Sequence, residues 1–262
     1  MNKKRIKERL KKGEIVFGTW NGIPSTALLN AIGLSGIDFV IIDAEHGPVN
    51  IQNAEDLVRA LDVTDTDSII RVPANLSHLI LRALDIGASG VQIPHVSTEE
   101  EAVKAVKYAK YYPLGERGFT PFTRAGKYGQ DAEGYAEKMN EQSLVVVNVE
   151  GCRGMKNLEK IASVPGIDVI FIGPYDLSQS LGRPGEVEDA EVIENIKKGV
   201  VISEKNEIAC GSYARDMRYL NVLMECGVRY LTYMVDSAVI LNAYKDVYNG
   251  FMKIKTGRGS NG

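Results

Sequence analysis

Short apolar segments alternate with longer segments of helical period along the chain, and this alternation limits the fold more than any other feature. It is typical of βα units, whose parallel strands are buried on both faces. A length of 262 residues suits a single closed barrel of eight such units. We therefore predict a one-domain α/β fold, a (β/α)8 TIM barrel, with strands at residues 15–20, 38–43, 68–72, 90–93, 144–149, 168–172, 208–211 and 228–233.

The segments between these strands have the period of amphipathic helices and complete the eight units. Residues 111–130 differ, because they are rich in Gly, Pro, Arg and Thr and have no clear period. A connection of that length inside a compact domain is usually functional or disordered. Helices are predicted at residues 25–34, 52–62, 76–86, 98–110, 155–163, 191–206, 216–226 and 237–249.

The two ends of the chain lie outside this repeating pattern. Ile6 and Leu10 stand four residues apart among Lys and Arg, which predicts a short N-terminal helix that caps the fold. Residues 253–262 are polar and glycine-rich, so we expect a disordered tail after a barrel domain over residues 1–252.

Composition argues against several classes of function. A formal net charge of -3 and the lack of a nucleic-acid motif predict no nucleic-acid partner. No apolar run reaches the roughly 18 residues that span a bilayer, so no membrane association is expected. The 3 cysteines form no CxxC pair, which favours a reducing compartment and therefore a cytoplasmic location.

Ionisable residues recur where the predicted strands end, which is where barrel enzymes carry their active sites. His46 follows the second strand and suits acid–base chemistry near neutral pH, with Asp43 placed to orient its ring, although a structural histidine is also compatible. Arg71 ends the third strand, where its planar fork could hold a substrate carboxylate, form a salt bridge to Asp43 or Glu45, or do both. His95, after the fourth strand, is expected to be structural.

Two acidic residues, Glu150 and Asp176, follow the fifth and sixth strands and could share a divalent cation such as Mg²⁺ or Mn²⁺. A helix cap or a salt bridge would explain the same pair of carboxylates. None of the predicted strands contains a lysine, which disfavours a Schiff-base mechanism and favours metal chemistry.

Six short motifs together resemble the HpcH/HpaI aldolase family. The likeness is clearest from about residue 13 to residue 185 and is looser towards the C-terminus. The segments that carry it are Asp43-Ala-Glu-His-Gly-Pro48, Arg71-Val-Pro73, Leu84-Asp-Ile-Gly-Ala88, Gln92-Ile-Pro-His-Val96, Tyr112-Pro-Leu-Gly-Glu-Arg-Gly118 and Gly173-Pro-Tyr-Asp-Leu-Ser178.

The resemblance implies a class II pyruvate aldolase that uses Mg²⁺, Mn²⁺ or Co²⁺ and cleaves a 4-hydroxy-2-oxo acid to pyruvate and an aldehyde. It implies a homo-oligomer, a hexamer or trimer of dimers, in which the last helix is exchanged between subunits. The implied roles are metal ligands for Glu150 and Asp176, a general base for His46 with Asp43 in its network, pyruvate and enolate binding for Arg71, a pocket wall for Trp20, a backbone contact for Gly173, and a contribution from Asp85 to a neighbouring subunit's site.

Three departures from the family pattern bear on the substrate. After Arg117-Gly118 the chain reads Phe-Thr-Pro-Phe-Thr-Arg124-Ala-Gly, unlike the members of the family that degrade aromatic compounds. Asn148 stands where family aldolases usually have Gln, and Tyr175 precedes the second acidic residue where a small residue is usual. Both residues are expected to line the substrate pocket. Asn148 and the loop after Gly118 leave open a condensing synthase on the same scaffold, for example one that forms citrate from oxaloacetate, and a non-catalytic keto-acid-binding protein is a third alternative.

Overall fold

Eight buried apolar segments form parallel strands that close into a barrel in the order of the sequence. The structure is a computed structural model, and it describes residues 6–130 and 132–258. Strand β8 returns to pair with β1, so the predicted (β/α)8 fold is confirmed. The strands are β1 Val16–Asn21, β2 Phe39–Asp43, β3 Asp67–Arg71, β4 Gly90–Ile93, β5 Leu144–Asn148, β6 Val169–Ile172, β7 Ala209–Ala214 and β8 Tyr230–Val235.

Helices connect the strands and surround the barrel. Several begin at residues whose side chains accept a backbone hydrogen bond, such as Thr98, which forms the expected capping box with Glu101. The helices are α1 Ile6–Lys11, α2 Thr26–Gly33, α3 Ile51–Asp62, α4 Ser77–Asp85, α5 Glu99–Ala109, α6 Tyr135–Gln142, α7 Cys152–Lys156, α8 Leu158–Ala162, α9 Pro174–Ser180, α10 Ala190–Lys205, α11 Met217–Glu225 and α12 Asp236–Arg258.

Several segments differ from the sequence prediction, among them α6 and α9, which were not predicted, and β7, which continues to Ala214. The helix predicted at 155–163 is divided into α7 and α8 at Asn157, whose side-chain amide donates to the carbonyl of Ser97 at 2.8 Å. The segment 111–130 contains a 3-10 turn at Arg124–Gly129. Helix α12 continues to Arg258, so residues 253–258 are helical where a disordered tail was expected, and residues 259–262 lie outside the described residues.

The barrel has an apolar interior that is separate from the layer between strands and helices. Phe39, Phe171 and Tyr230 meet inside it, with ring centroids 4.3 Å apart for the first and last of these. Helix α1 adds Ile6 and Leu10 to the same cluster and thereby covers the N-terminal end of the strands. Within the described ranges, no helix combines the length and the apolarity needed to cross a membrane.

Candidate active site

A cavity of about 310 Å³ opens at the C-terminal ends of the strands, where barrel enzymes have their active sites. It brings together nearly all of the residues that the sequence singled out. One side is charged and polar, and the other is aromatic and apolar. The predicted residues on its wall are Trp20, Asp43, His46, Arg71, Asn148, Glu150, Gly173, Tyr175 and Asp176.

Arg71 connects the acidic residues of this cavity. Its Nε donates to Asp43 Oδ1 at 2.9 Å and its Nη2 to Asp43 Oδ2 at 2.6 Å, while Nη1 lies 3.0 Å from Glu45 Oε2. The guanidinium also lies 4.4 Å from the centre of the Trp20 ring. A guanidinium has five N–H donors, so these contacts leave about two for a bound ligand. Both salt bridges considered from the sequence are thus formed, and Arg71 still lines the cavity.

The contacts of the Asp43 carboxylate differ from those expected from the sequence. Its carboxylate holds Arg71 and accepts the backbone N–H of Glu45 at 3.0 Å and of His46 at 3.2 Å. Asp43 therefore fixes the backbone of the loop that carries His46 and contacts that residue through the main chain rather than the imidazole. The His46 side chain is exposed at the cavity wall, where it is accessible to a ligand.

Glu150 and Asp176 face a common gap beside Gly173. A Cβ atom placed on Gly173 would lie 3.0 Å from Glu150 Oε2 and 3.9 Å from Asp176 Oδ2. Glycine therefore keeps open the space between the two carboxylates. Burial raises the pKa of Glu150, and the negative charges of Asp176 and Glu45 raise it further, while the backbone N–H of His95 lowers it. A cation in the gap would relieve this unfavourable concentration of negative charge.

The donor set fits a hard divalent cation. Such ions take oxygen ligands and often use only one or two carboxylates, with water or substrate completing the coordination. In the part of the chain that the structure describes, no group of three or more His, Cys, Asp or Glu residues could hold a metal ion. A soft or structural metal site is therefore not indicated here, and Glu150 with Asp176 suits Mg²⁺ or Mn²⁺.

Asn148 supports Glu150 from the barrel interior. Its Nδ2 donates to Glu150 Oε2 at 3.3 Å, and its Oδ1 accepts a hydrogen bond from Gln92 Nε2 at 2.8 Å. Both residues are buried, so the amide orientation is fixed by these two partners. Asn148 thus lines the cavity, as predicted, and also holds one of the acidic residues.

The aromatic side of the cavity was only partly predicted. Tyr213 packs edge-on against Tyr175 with ring centroids 5.6 Å apart, and Phe171 and Val235 lie beside them. Burial raises the pKa of Tyr213 to about 12, so its phenol stays protonated at neutral pH. Tyr213 was not predicted, because β7 was placed at residues 208–211 and no residue after that strand was considered, whereas the strand continues to Ala214.

His95 lies at this rim, although the sequence analysis considered it structural. Its Nδ1 is 3.0 Å from Glu150 Oε1 and its Nε2 is 3.0 Å from Glu45 Oε1. Its position after β4 was the available signal, since the same strand-end rule identified Arg71 and Glu150. Asp85, in contrast, lies at the end of α4 and binds Arg117 Nη2 at 2.5 Å, outside this cavity.

Comparison with known proteins gives a consistent result. A model of the HpcH/HpaI aldolase/citrate lyase family matches residues 17–243. Hydroxypyruvate/pyruvate aldolase of Paraburkholderia phytofirmans is 33% identical over 244 residues, which cover 91% of this chain and 94% of that protein. 2-Keto-3-deoxy-L-rhamnonate aldolase of Escherichia coli is 38% identical over 188 residues, which cover 71% of this chain and 70% of that protein.

Solved structures agree over nearly the whole length. An HpcH/HpaI aldolase/citrate lyase family protein from Burkholderia cenocepacia superposes with a TM-score of 0.90 at 30% identity, covering 94% of this chain and 98% of that one. Citrate synthase SbnG superposes with a TM-score of 0.84, also at 30% identity, covering 96% of this chain and 98% of that one. The barrel, the motifs and these matches all lead to one conclusion: the chain belongs to the HpcH/HpaI aldolase/citrate lyase family.

Proposed function

We propose that this protein is a divalent-cation-dependent aldolase that reversibly cleaves a 4-hydroxy-2-oxo acid to pyruvate and an aldehyde. The observation that carries the proposal is the gap beside Gly173, which Glu150 and Asp176 both face while Arg71 lines the same cavity. Relatives named as pyruvate, hydroxypyruvate and keto-deoxy sugar acid aldolases support it.

The side chains divide the chemistry between them. Arg71 uses its remaining N–H donors to bind the keto acid and to counter the negative charge that develops on the enolate. In cleavage, His46 accepts the proton of the C4 hydroxyl, the C3–C4 bond breaks, and the enolate of pyruvate later takes a proton at C3. A divalent cation between Glu150 and Asp176 would supply Lewis-acid stabilisation of that enolate. Trp20, Phe171 and Tyr213 exclude water from the reacting carbons.

Hydrogen exchange at C3 of pyruvate tests this proposal without requiring the aldehyde to be known. The protein is incubated with pyruvate in D₂O with Mg²⁺, Mn²⁺ or Co²⁺ in turn, and the methyl signal is followed by NMR. We expect deuterium incorporation that stops when a chelator is added and resumes when the ion is restored. If no deuterium enters the methyl group with any of the ions, the aldolase proposal is wrong and a non-catalytic keto-acid-binding protein becomes the better description.

The His46→Ala variant tests the proposed base. We expect exchange to slow by about 100-fold or more, because a positioned general base contributes roughly 10²–10⁴-fold. Binding of Mn²⁺, measured by calorimetry, should stay unchanged, since His46 contacts neither Glu150 nor Asp176 in this structure. The exposed His78 lies on α4, outside the cavity, so His78→Ala is a matched control. Full exchange activity in His46→Ala would remove this residue from the mechanism.

A condensing synthase is the second candidate function, and the similarity to citrate synthase SbnG supports it. Such an enzyme would add the enolate of a keto acid or acyl thioester to an acceptor such as oxaloacetate. Incubation with oxaloacetate, with and without acyl-CoA, separates the two reactions. Citrate-type products without any pyruvate exchange would favour the synthase, and release of pyruvate from 4-hydroxy-2-oxo acids would favour the aldolase.

Helix α12 supports a proposal that the protein works as a homo-oligomer, a hexamer or trimer of dimers, with this helix exchanged between subunits. Large apolar side chains are exposed along it, and they are Val239, Leu241, Tyr244, Val247, Tyr248, Phe251 and Ile254. In such an assembly Asp85 would approach a neighbouring subunit's site. A single-chain mass in sedimentation equilibrium would contradict the proposal.

The free state of all three cysteines supports a cytoplasmic location, and secretion on fractionation would contradict it.

A further inference from the structure

We propose that His95 is a positioning residue, which holds one oxygen of Glu150 so that the other faces the cation gap. The inference rests on the proposed function, because it assigns a role towards the same cation. It concerns a side chain at the rim of the site whose two ring nitrogens each lie 3.0 Å from a carboxylate oxygen of a different residue.

The two oxygens of Glu150 have different surroundings. Oε1 lies 2.9 Å from the backbone N of His95, which donates to it, and 3.0 Å from Nδ1 of the same residue. Oε2 faces Gly173 and accepts only the longer hydrogen bond of 3.3 Å from Asn148 Nδ2. A carboxylate oxygen has two lone pairs. The backbone N–H and the ring of His95 therefore both lie against Oε1, and Oε2 keeps capacity for a cation.

The second ring nitrogen connects His95 to the arginine of the site. Nε2 lies 3.0 Å from Glu45 Oε1, and Glu45 Oε2 lies 3.0 Å from Arg71 Nη1. Glu45 is largely buried, with a side-chain exposure of 10%, and its two carboxylate oxygens lie against His95 and Arg71. The imidazole thus lies between two carboxylate groups. The series Arg71, Glu45, His95 and Glu150 connects the group that would bind the keto acid to a carboxylate that would bind the cation.

The backbone of His95 supports a specific role for this position. Its φ of 57° lies in the left-handed region, which side chains other than Gly adopt rarely, although His, Asn and Asp do so more often than most. This conformation presents the backbone N–H and the imidazole of one residue to the same oxygen. Unusual backbone conformations of this kind concentrate at functional sites.

Contacts from a neighbouring side chain to a metal ligand have a measurable effect on metal affinity. Residues that hydrogen-bond to metal ligands change metal affinity or activity by about 10–100-fold when they are removed. The structure offers a clean way to remove the imidazole alone. In His95→Gly the backbone N–H to Glu150 is kept and the left-handed conformation becomes unstrained, whereas His95→Asn keeps a short polar group that also tolerates this backbone.

The experiment compares Mn²⁺ affinity by calorimetry with the melting temperature of the cation-free protein. It uses wild type, His95→Gly, His95→Asn, Glu150→Gln and the control His78→Ala. We expect His95→Gly to weaken Mn²⁺ binding by about 10–100-fold. His95→Asn should recover part of that loss, His78→Ala should match wild type, and neither His95 variant should melt lower than wild type. The recovery by Asn is a result that a merely structural role of His95 would not produce.

Three outcomes would overturn the inference, and they can be told apart. If His95→Gly binds Mn²⁺ within twofold of wild type while Glu150→Gln binds it far more weakly, the role of His95 is wrong and the proposed function stands. If wild type binds Mn²⁺ no better than Glu150→Gln, the cation site itself is wrong, and the role of His95 is wrong together with it. A lowered melting temperature with unchanged affinity would make His95 a stability residue only.

Discussion

Glu150→Gln is expected to abolish cation-dependent exchange at pyruvate C3 and to weaken Mn²⁺ binding by more than about 100-fold. Loss of a contact to a ligand already reduces affinity by about 10–100-fold, so loss of the ligand's own charge should exceed that range. The amide keeps the size of the side chain, which means that the cavity is preserved. Exchange measured by NMR and affinity measured by calorimetry should fall together.

The same substitution should not destabilise the cation-free protein. The pKa of Glu150 is raised in the folded state, chiefly by burial, so folding disfavours its ionised form. Because its folded pKa is raised, the contribution of Glu150 to stability is fully present below its unfolded pKa and is lost as the pH rises through the folded pKa. At neutral pH the neutral amide avoids this loss. The cation-free variant should therefore melt at the same temperature as wild type or higher.

A matched control distinguishes the loss of a carboxylate in the cavity from the loss of a carboxylate elsewhere on the surface. Glu159 is exposed on α8, away from the cavity, so Glu159→Gln should leave exchange and Mn²⁺ affinity unchanged. Asp176→Asn should repeat the loss seen with Glu150→Gln. Unchanged Mn²⁺ affinity in both acidic-site variants would refute the assignment of these two residues as ligands.

Arg71→Met is expected to destabilise the fold by about 3–5 kcal/mol as well as to remove pyruvate binding, because it leaves buried carboxylates without their cation. Asp43 and Glu45 both contact this guanidinium, and each has a side-chain exposure of 10%. Arg71→Lys should destabilise less but raise the KM for pyruvate strongly, since an ammonium group lacks the planar fork. Urea unfolding and the pyruvate dependence of exchange measure the two effects.

Arg59 provides the comparison for Arg71. It forms an exposed ion pair with Glu55 one turn away on α3 and also donates to the Tyr128 hydroxyl, so Arg59→Met should change the free energy of unfolding far less than Arg71→Met does. The double variant Arg71→Met with Asp43→Asn should recover part of the lost stability, because one unpaired charge is removed. A destabilisation by Arg71→Met no larger than that of Arg59→Met would contradict the proposed burial penalty.

The barrel could be predicted because its strands are buried on both faces and therefore appear as continuous apolar segments. Once the strand ends were known, Asp43, Arg71, Asn148 and Glu150 followed from the rule that parallel strands present their C-terminal ends at one rim. That rule depends on strand boundaries. It missed Tyr213, because β7 contains glycine and polar residues and continues to Ala214 beyond its apolar start.

Pairings between side chains could not be predicted in the same way. The sequence placed Asp43 three residues before His46. In the structure, however, the Asp43 carboxylate accepts hydrogen bonds from Arg71, because the register of β2 and β3 aligns Asp43 with Arg71. The role of His95 depends on a left-handed backbone, which no periodicity reveals. The length of α12 was underestimated, because its exposed apolar side chains give no clear amphipathic pattern in one chain.

The glycine at position 173 gives a criterion for sorting related chains from sequence alone. Even one methyl group at this position would lie 3.0 Å from Glu150 Oε2 and reduce the space in which two acids could share an ion. A relative that retains both acids but carries a larger residue here would keep every charged group and still lack room for the ion. We expect such chains to have diverged towards other roles, whatever their overall identity to this one.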